Sequence, residues 1–196
     1  MTDELKKFLT DNKNLLIRND FDGLYNNCPP GMWAELSDFL FNVANINPLN
    51  YMRGDVGKVF TLNNFKKELV IPKNVNLTEG RIRGISAPSI ILQCNLVRYT
   101  LSTVTSNKIS VESDVTKIPS NFLYAVQAEK VYIPKSVTRI GNDAFKDCSS
   151  TIKIITPYRE NPQERLIVPK NEIEWYKEHL KFTHAPKEDK EEVKGE

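Results

Sequence analysis

The sequence predicts an α+β fold. A helical N-terminal cap spans 1–56, a short right-handed β-solenoid with a C-terminal capping helix spans 57–182, and a disordered charged tail spans 183–196. Three observations carry this. Residues 1–60 hold two of the 16 isoleucines, Ile17 and Ile46, and 61–173 hold the other 14. Ile is β-branched and favours strands, whereas the first segment relies on Leu and Phe. The stretch 109–126 is repeated at 131–148 with an offset of 22 residues. Finally, Asn171 with Glu174 three residues later resembles a helix start, and the chain beyond Ala185 is charged with few large apolar residues.

The helical part has three patterned stretches. Leu5, Phe8 and Leu9 are spaced i, i+3, i+4 behind Thr2, an expected N-cap. Asn19 is the expected cap of a second helix, whose Phe21, Leu24, Tyr25 and Cys28 share a face. Pro29-Pro30-Gly31 breaks the chain. Trp33, Leu36, Leu40 and Val43 then form a third stripe, ended by Asn47-Pro48 because the residue before Pro leaves the α region. Three short helices make a poor core alone, so the stripe should pack over Phe60, Leu69 and Ile71, leaving Lys6, Lys13, Arg18 and Asp22 outward.

In the β-rich part, the register sets Ile109 on Val131, Val111 on Ile133, Val115 on Val137, Thr116 on Thr138, Lys117 on Arg139, Ile118 on Ile140 and Leu123 on Phe145. Every pair keeps its chemical type. One such unit cannot bury its apolar face, but stacked coils about 4.8 Å apart can. Leu69-Val70-Ile71-Pro72 copies Val131-Tyr132-Ile133-Pro134, while Ile154-Ile155-Thr156-Pro157 and Leu166-Ile167-Val168-Pro169 open later coils. Between Val75 and Ile109 the pattern decays. Strands are expected near 85–90 and 96–100, in one or two degenerate coils. A helix through Ile173, Tyr176 and Leu180 is expected to close the open end.

A length of 196 residues fits one domain, and 40% apolar residues suffice for a core. No run of about 18 apolar residues suggests a membrane span, and Met1–Lys7 does not lead into a signal core, so the expected location is the cytoplasm. With 27 basic against 25 acidic residues the net charge is +2, which argues against a nucleic-acid partner. Cys28, Cys94 and Cys148 are odd in number and far apart, as in a reduced protein.

Little points to catalysis. His179 and His184 lack a Cys or carboxylate cluster, so no metal site is expected. Cys148 fills a small apolar slot of the repeat and reads as a buried thiol, with no His to activate it. No glycine-rich phosphate loop is present. The two arginines within 78–84 are set for an anion or, more simply, a solvated turn. Arg53-Gly54-Asp55 reads as a hinge, with Gly54 permitting a turn. The expectation is therefore no enzyme, no cofactor and no metal. Lys117, Lys135 and Arg139 are candidate partner contacts. Lys117 and Arg139 stack by register, and Ser113 falls under Lys135, forming a short outward basic ladder. Protecting a strand edge is the competing use of such lysines.

The segment VYIPKSVTRIGNDAFKDCSSTI, Val131–Ile152, resembles the repeat unit of BspA-type leucine-rich repeat proteins, and Ile109–Val126 follows the same unit with Glu112 in place of Pro and Val126 in place of Cys. The stretch Leu166–Leu180 resembles the terminal turn of such arrays, and NDFDGLYNNC and INPLNYM in the leader look like the helical leader of small leucine-rich repeat proteins of tailed phages and prophages. The resemblance implies a leucine-rich-repeat β-solenoid without catalysis. It also implies a protein-interaction module of phage or prophage origin in the host bacterial cytoplasm, binding a host or phage protein. Two alternatives are an inhibitor of a host defence nuclease and a virion accessory or assembly protein.

Overall fold

The computed structural model describes residues 1–184 and 194–195; the rest of the expected tail lies outside the described residues. Helix α1 (Asp3–Asp11) starts where the sequence placed it: the Thr2 hydroxyl accepts from the Leu5 N–H at 3.1 Å. A short α2 (Lys13–Ile17) leads into α3 (Phe21–Asn27). The cap of α3 is Asp20 rather than Asn19. Asn19 takes a left-handed φ of 55°, which Asn tolerates, and the Asp20 carboxylate accepts from the Gly23 N–H at 2.9 Å. Phe21, Leu24, Tyr25 and Cys28 are buried as their spacing requires.

In α4 (Trp33–Asp38), Leu36 is buried, as is Leu40 just beyond, but Val43 is 67% exposed, against expectation. A π turn over Phe39–Val43 explains this. Its Ala44 N–H reaches back five residues to Phe39 C=O at 2.7 Å. The extra residue per turn rotates Val43 outward and brings Phe41 into the core, where its ring meets Phe65 edge-on at 5.0 Å. Asp22 also departs from its expected role. Its carboxylate accepts from the Arg53 N–H at 2.8 Å and the Gly54 N–H at 2.9 Å, clamping the Arg53-Gly54-Asp55 turn. Gly54 serves this close approach rather than an unusual φ, since an added Cβ would lie 2.8 Å from Asp22 Oδ1.

The strands are β1 (Leu69–Ile71), β2 (Ile82–Arg83), β3 (Ser89–Leu92), β4 (Leu101–Ser102), β5 (Thr105–Val111), β6 (Lys117–Ile118), β7 (Leu123–Tyr124), β8 (Gln127–Tyr132), β9 (Arg139–Ile140), β10 (Lys153–Pro157), β11 (Ile167–Val168), β12 (Leu180–Thr183) and β13 (Lys194–Gly195). They form three parallel ladders: β1-β3-β5-β8-β10-β12, β13-β11-β9-β6 and β2-β4-β7. From β5 one circuit runs through β6 and β7 and returns to the first ladder at β8, one strand further on. The 22-residue register is met at each tested point. Ile109 pairs with Val131, Lys117 with Arg139 and Ile118 with Ile140. Of the expected inward set, only Val115 is partly exposed.

The decayed stretch is one coil. It advances 19 residues, from Ile90 to Ile109, which explains why a 22-residue register lost it. The strand expected at 96–100 is a turn, held by Thr100 Oγ1, which accepts from the Val97 N–H at 2.9 Å. A second regularity is invisible in residue type. Gly80, Tyr99, Asn121 and Asp143 all have φ between 51° and 66°, and Gly84, Thr103, Ala125 and Asp147, each four residues later, lie between 49° and 67°. These two left-handed rows flank the β2-β4-β7 ladder and turn the chain at both ends of each two-residue strand.

At the C-terminal end, Asn171 does not cap the helix. The Glu172 N–H bonds to Pro169 C=O at 3.0 Å, so Asn171 lies in a 3-10 turn and α5 runs Ile173–His179. Strand β12 then follows α5 and pairs with β10. One continuous buried cluster runs from Leu5 through Leu69, Ile109 and Val131 to Leu180.

Candidate functional site

The three basic residues singled out in the sequence do not make one ladder. Lys117 and Arg139 are strand partners, both exposed. Lys135 lies in the turn between β8 and β9, and its Nζ is 3.6 Å from Glu164. Ser113 is buried instead of standing outward beneath Lys135, and its hydroxyl donates within the core, 2.7 Å from Cys94 C=O and 3.1 Å from Leu92 C=O.

A longer basic row was missed. Alternation along each strand sends Leu69, Ile90, Ile109, Val131, Ile154 and Leu180 into the core, so their neighbours face outward. On that outer face Lys108 pairs with Lys130 and Lys130 with Lys153. All three are exposed, and none makes an ion pair among the described residues. The row begins at Ser89, whose hydroxyl donates to Glu68 at 2.6 Å. Beside it runs a mixed row: Val70, Ile91, Ser110, Tyr132, Ile155, Lys181. The two rows touch where Lys108 Nζ sits 5.2 Å from the centre of the Tyr132 ring. The signal was legible: Lys108 and Lys130 are 22 residues apart, and Lys130 and Lys153 are 23 apart.

Other candidates resolve into structural roles. His179 stacks on Trp175 at 4.0 Å, with Nδ1 2.7 Å from Trp175 C=O and Nε2 3.0 Å from Ser150 C=O. It therefore ties α5 to the preceding coil and is more than the surface residue expected. Burial pushes the thiols of Cys28, Cys94 and Cys148 up to about 11, although Cys148 itself is only partly buried. Burial also raises the Glu172 carboxyl, against the bond it accepts from the Asp143 N–H at 2.8 Å. Arg81, one of the two arginines in the glycine-flanked turn, lies 3.4 Å from Asp55. Arg159 is fully buried and donates to Val137 C=O at 2.8 Å and to Thr156 Oγ1 at 3.0 Å, a brace beneath the β8–β9 turn. Among the described residues no group of three or more His, Cys, Asp or Glu is placed to hold a metal ion, and no helix is long and apolar enough to cross a membrane.

Parallel ladders revisited coil by coil, with helices at the ends of the sequence, make an α+β fold of the leucine-rich-repeat kind. Residues 95–161 match the family model described as BspA type leucine rich repeat region, in six copies. No curated protein and no solved structure matches the chain. Leucine-rich repeats generally mediate protein–protein interaction and are generally non-enzymatic, which suggests the same kind of module here.

Proposed function

We propose that this chain is a non-enzymatic protein-interaction module of phage or prophage origin, acting in the host bacterial cytoplasm. In this reading the three ladders form a right-handed solenoid between a helical cap over 1–56 and α5. The outer face of the six-stranded sheet meets an acidic protein. The observation that carries the contact is the register-stacked row of Lys108, Lys130 and Lys153, flanked by the Tyr132 ring and by Ile91 and Ile155. Charged side chains set orientation and encounter rate, and the neighbouring apolar row supplies the area to be buried. Lys117 and Arg139 on the next ladder are proposed as a flanking contact. The phage origin is supported by the likeness of the leader segments.

The test is affinity capture from host lysate with the wild-type chain and with Lys108→Glu/Lys130→Glu/Lys153→Glu. The expected result is an acidic partner held by the wild type, released by raised salt, and lost by the triple variant. Equal capture by both proteins would remove the proposed face. A host nuclease as the partner would favour the inhibitor reading, and capsid or tail proteins the virion reading.

A further inference from the structure

The outer side of the β2-β4-β7 ladder carries a second surface, away from the lysine row. It is an open groove of about 720 Å3 lined by Arg83, Tyr99, Ser102, Asn121, Tyr124 and Lys146 among others. Arg83 pairs with Ser102 and Ser102 with Tyr124. The Leu123 N–H donates to Ala144 C=O and the Ala125 N–H to Lys146 C=O, which places Lys146 opposite Tyr124 in the same row. Arg83 and Lys146 thus stand three coil steps apart, roughly 14 Å at about 4.8 Å per step. Both are exposed, and neither makes an ion pair among the described residues. Between them the rings of Tyr99 and Tyr124 meet edge-on with centroids 5.8 Å apart.

Tyr99 is the anomaly. Its φ is 51°, in a row otherwise filled by Gly80, Asn121 and Asp143, residue types that tolerate the left-handed region. A bulky side chain there costs stability, and such strain gathers at functional sites. The cost leaves an aromatic ring in the groove, with the Arg98 guanidinium 5.3 Å from its centre.

We propose that this groove binds an extended acidic peptide segment of the pattern acid–x–aromatic–x–acid. An extended chain rises about 3.3 Å per residue and points alternate side chains to one side, so positions i and i+4 lie about 13 Å apart with i+2 between them. That matches the distance between Arg83 and Lys146, with the tyrosine pair beneath the central residue. Ser102 and Asn121 offer hydrogen bonds to the peptide backbone. Asp147 also lines the groove, beside Lys146, and repels a continuous polyanion. This favours isolated carboxylates over a nucleic-acid backbone.

The probe is a fluorescein-labelled nonapeptide, Gly-Ser-Glu-Ala-Tyr-Ala-Glu-Ser-Gly, read by fluorescence anisotropy against the full chain. Saturable binding is expected below about 1 mM. It should weaken at least about fivefold when both Glu become Gln, when the two Glu are moved next to each other, or with Arg83→Gln or Lys146→Gln. Tyr99→Asn is the decisive variant. It should melt no lower than the wild type, because it relieves the backbone, yet bind the peptide at least about tenfold more weakly. Unchanged binding by Tyr99→Asn, indifference to the charge or spacing of the peptide, or no binding at about 1 mM overturns the proposal. Tighter binding of a nine-residue oligothymidylate than of the peptide also overturns it. The groove and the lysine row lie on different ladders, so the two proposals fail separately.

Discussion

Gly141→Ala tests the coil stacking most directly. Gly141 follows β9, and its N–H donates to Ile118 C=O at 2.9 Å. Its φ is not left-handed, so alanine is conformationally acceptable there. Space is the obstacle. A Cβ would lie 2.5 Å from the backbone N of Ser120, 2.7 Å from its Oγ and 2.9 Å from Pro119 C. Two of these are backbone atoms of the previous coil and cannot rotate away. Ordinary contact requires a separation of roughly 3.5 Å, so the coils must part locally by nearly 1 Å. Overpacking of this kind costs about 1–3 kcal/mol. Stretching the Gly141 bond and the neighbouring Ile118–Ile140 pairing adds about 0.5–1.5 kcal/mol. A total of about 3 kcal/mol should lower Tm by roughly 6–12 °C for a chain of this size. The assay is thermal and urea unfolding followed by circular dichroism. Gly31→Ala is the control, since nothing lies within 4 Å of its added Cβ. If Gly141→Ala unfolds within about 0.5 kcal/mol of the control, the coils are not packed as described.

Three further outcomes are expected. Phe145→Ala should cost about 3–5 kcal/mol in urea unfolding, because it removes a buried ring set between Phe122 and Trp175 at 6.2 and 6.0 Å; a loss below about 1 kcal/mol would contradict that packing. Burial raises the Cys94 and Cys148 thiols from 9.0 to about 11, so the unfolded chain ionises first as pH rises. Stability should therefore hold below pH 9 and fall between 9 and 11, less steeply with Cys94→Ala/Cys148→Ala, and an unchanged urea midpoint across that range would refute the assignment. Deleting 1–56 should give aggregated protein without a cooperative melt, because it uncovers Phe65 and leaves Val70 C=O without its 2.8 Å bond from Asn47; a soluble, cooperatively melting product would make the leader a tethered module.

What the sequence made legible was whatever repeats with constant length. Ile109 with Val131 and Ile118 with Ile140 could be paired from the text because both residue type and spacing recur. The coil from Ile90 to Ile109 could not, because its 19-residue advance shifts every later position. The outward rotation of Val43 depends on one backbone bond, from Ala44 to Phe39, that no side chain announces. The left-handed rows were hidden for the opposite reason: Gly80, Tyr99, Asn121 and Asp143 share a conformation and no chemistry. The basic row could have been read from lysine spacing, but the Pro134 turn drew the reading to Lys135, which Glu164 accompanies.

The placement of the lysine row bears on its purpose. Lysine commonly blunts an exposed strand edge, which would explain these residues without any partner. The edges of the large sheet, however, are β1 and β12, whereas Lys108, Lys130 and Lys153 lie on β5, β8 and β10, each hydrogen-bonded on both sides. Edge protection does not apply there. Nor does folding favour the arrangement, since like charges directly opposite one another on adjacent strands are destabilising. Alternating Lys with Glu along the row would keep the face soluble and add attraction. A row of three like charges on interior strands therefore carries a cost in the free protein that a negatively charged partner would remove. The same reasoning fixes the expected behaviour: Lys130→Glu, at the centre of the row, should stabilise the isolated chain slightly at low salt while weakening capture of its partner.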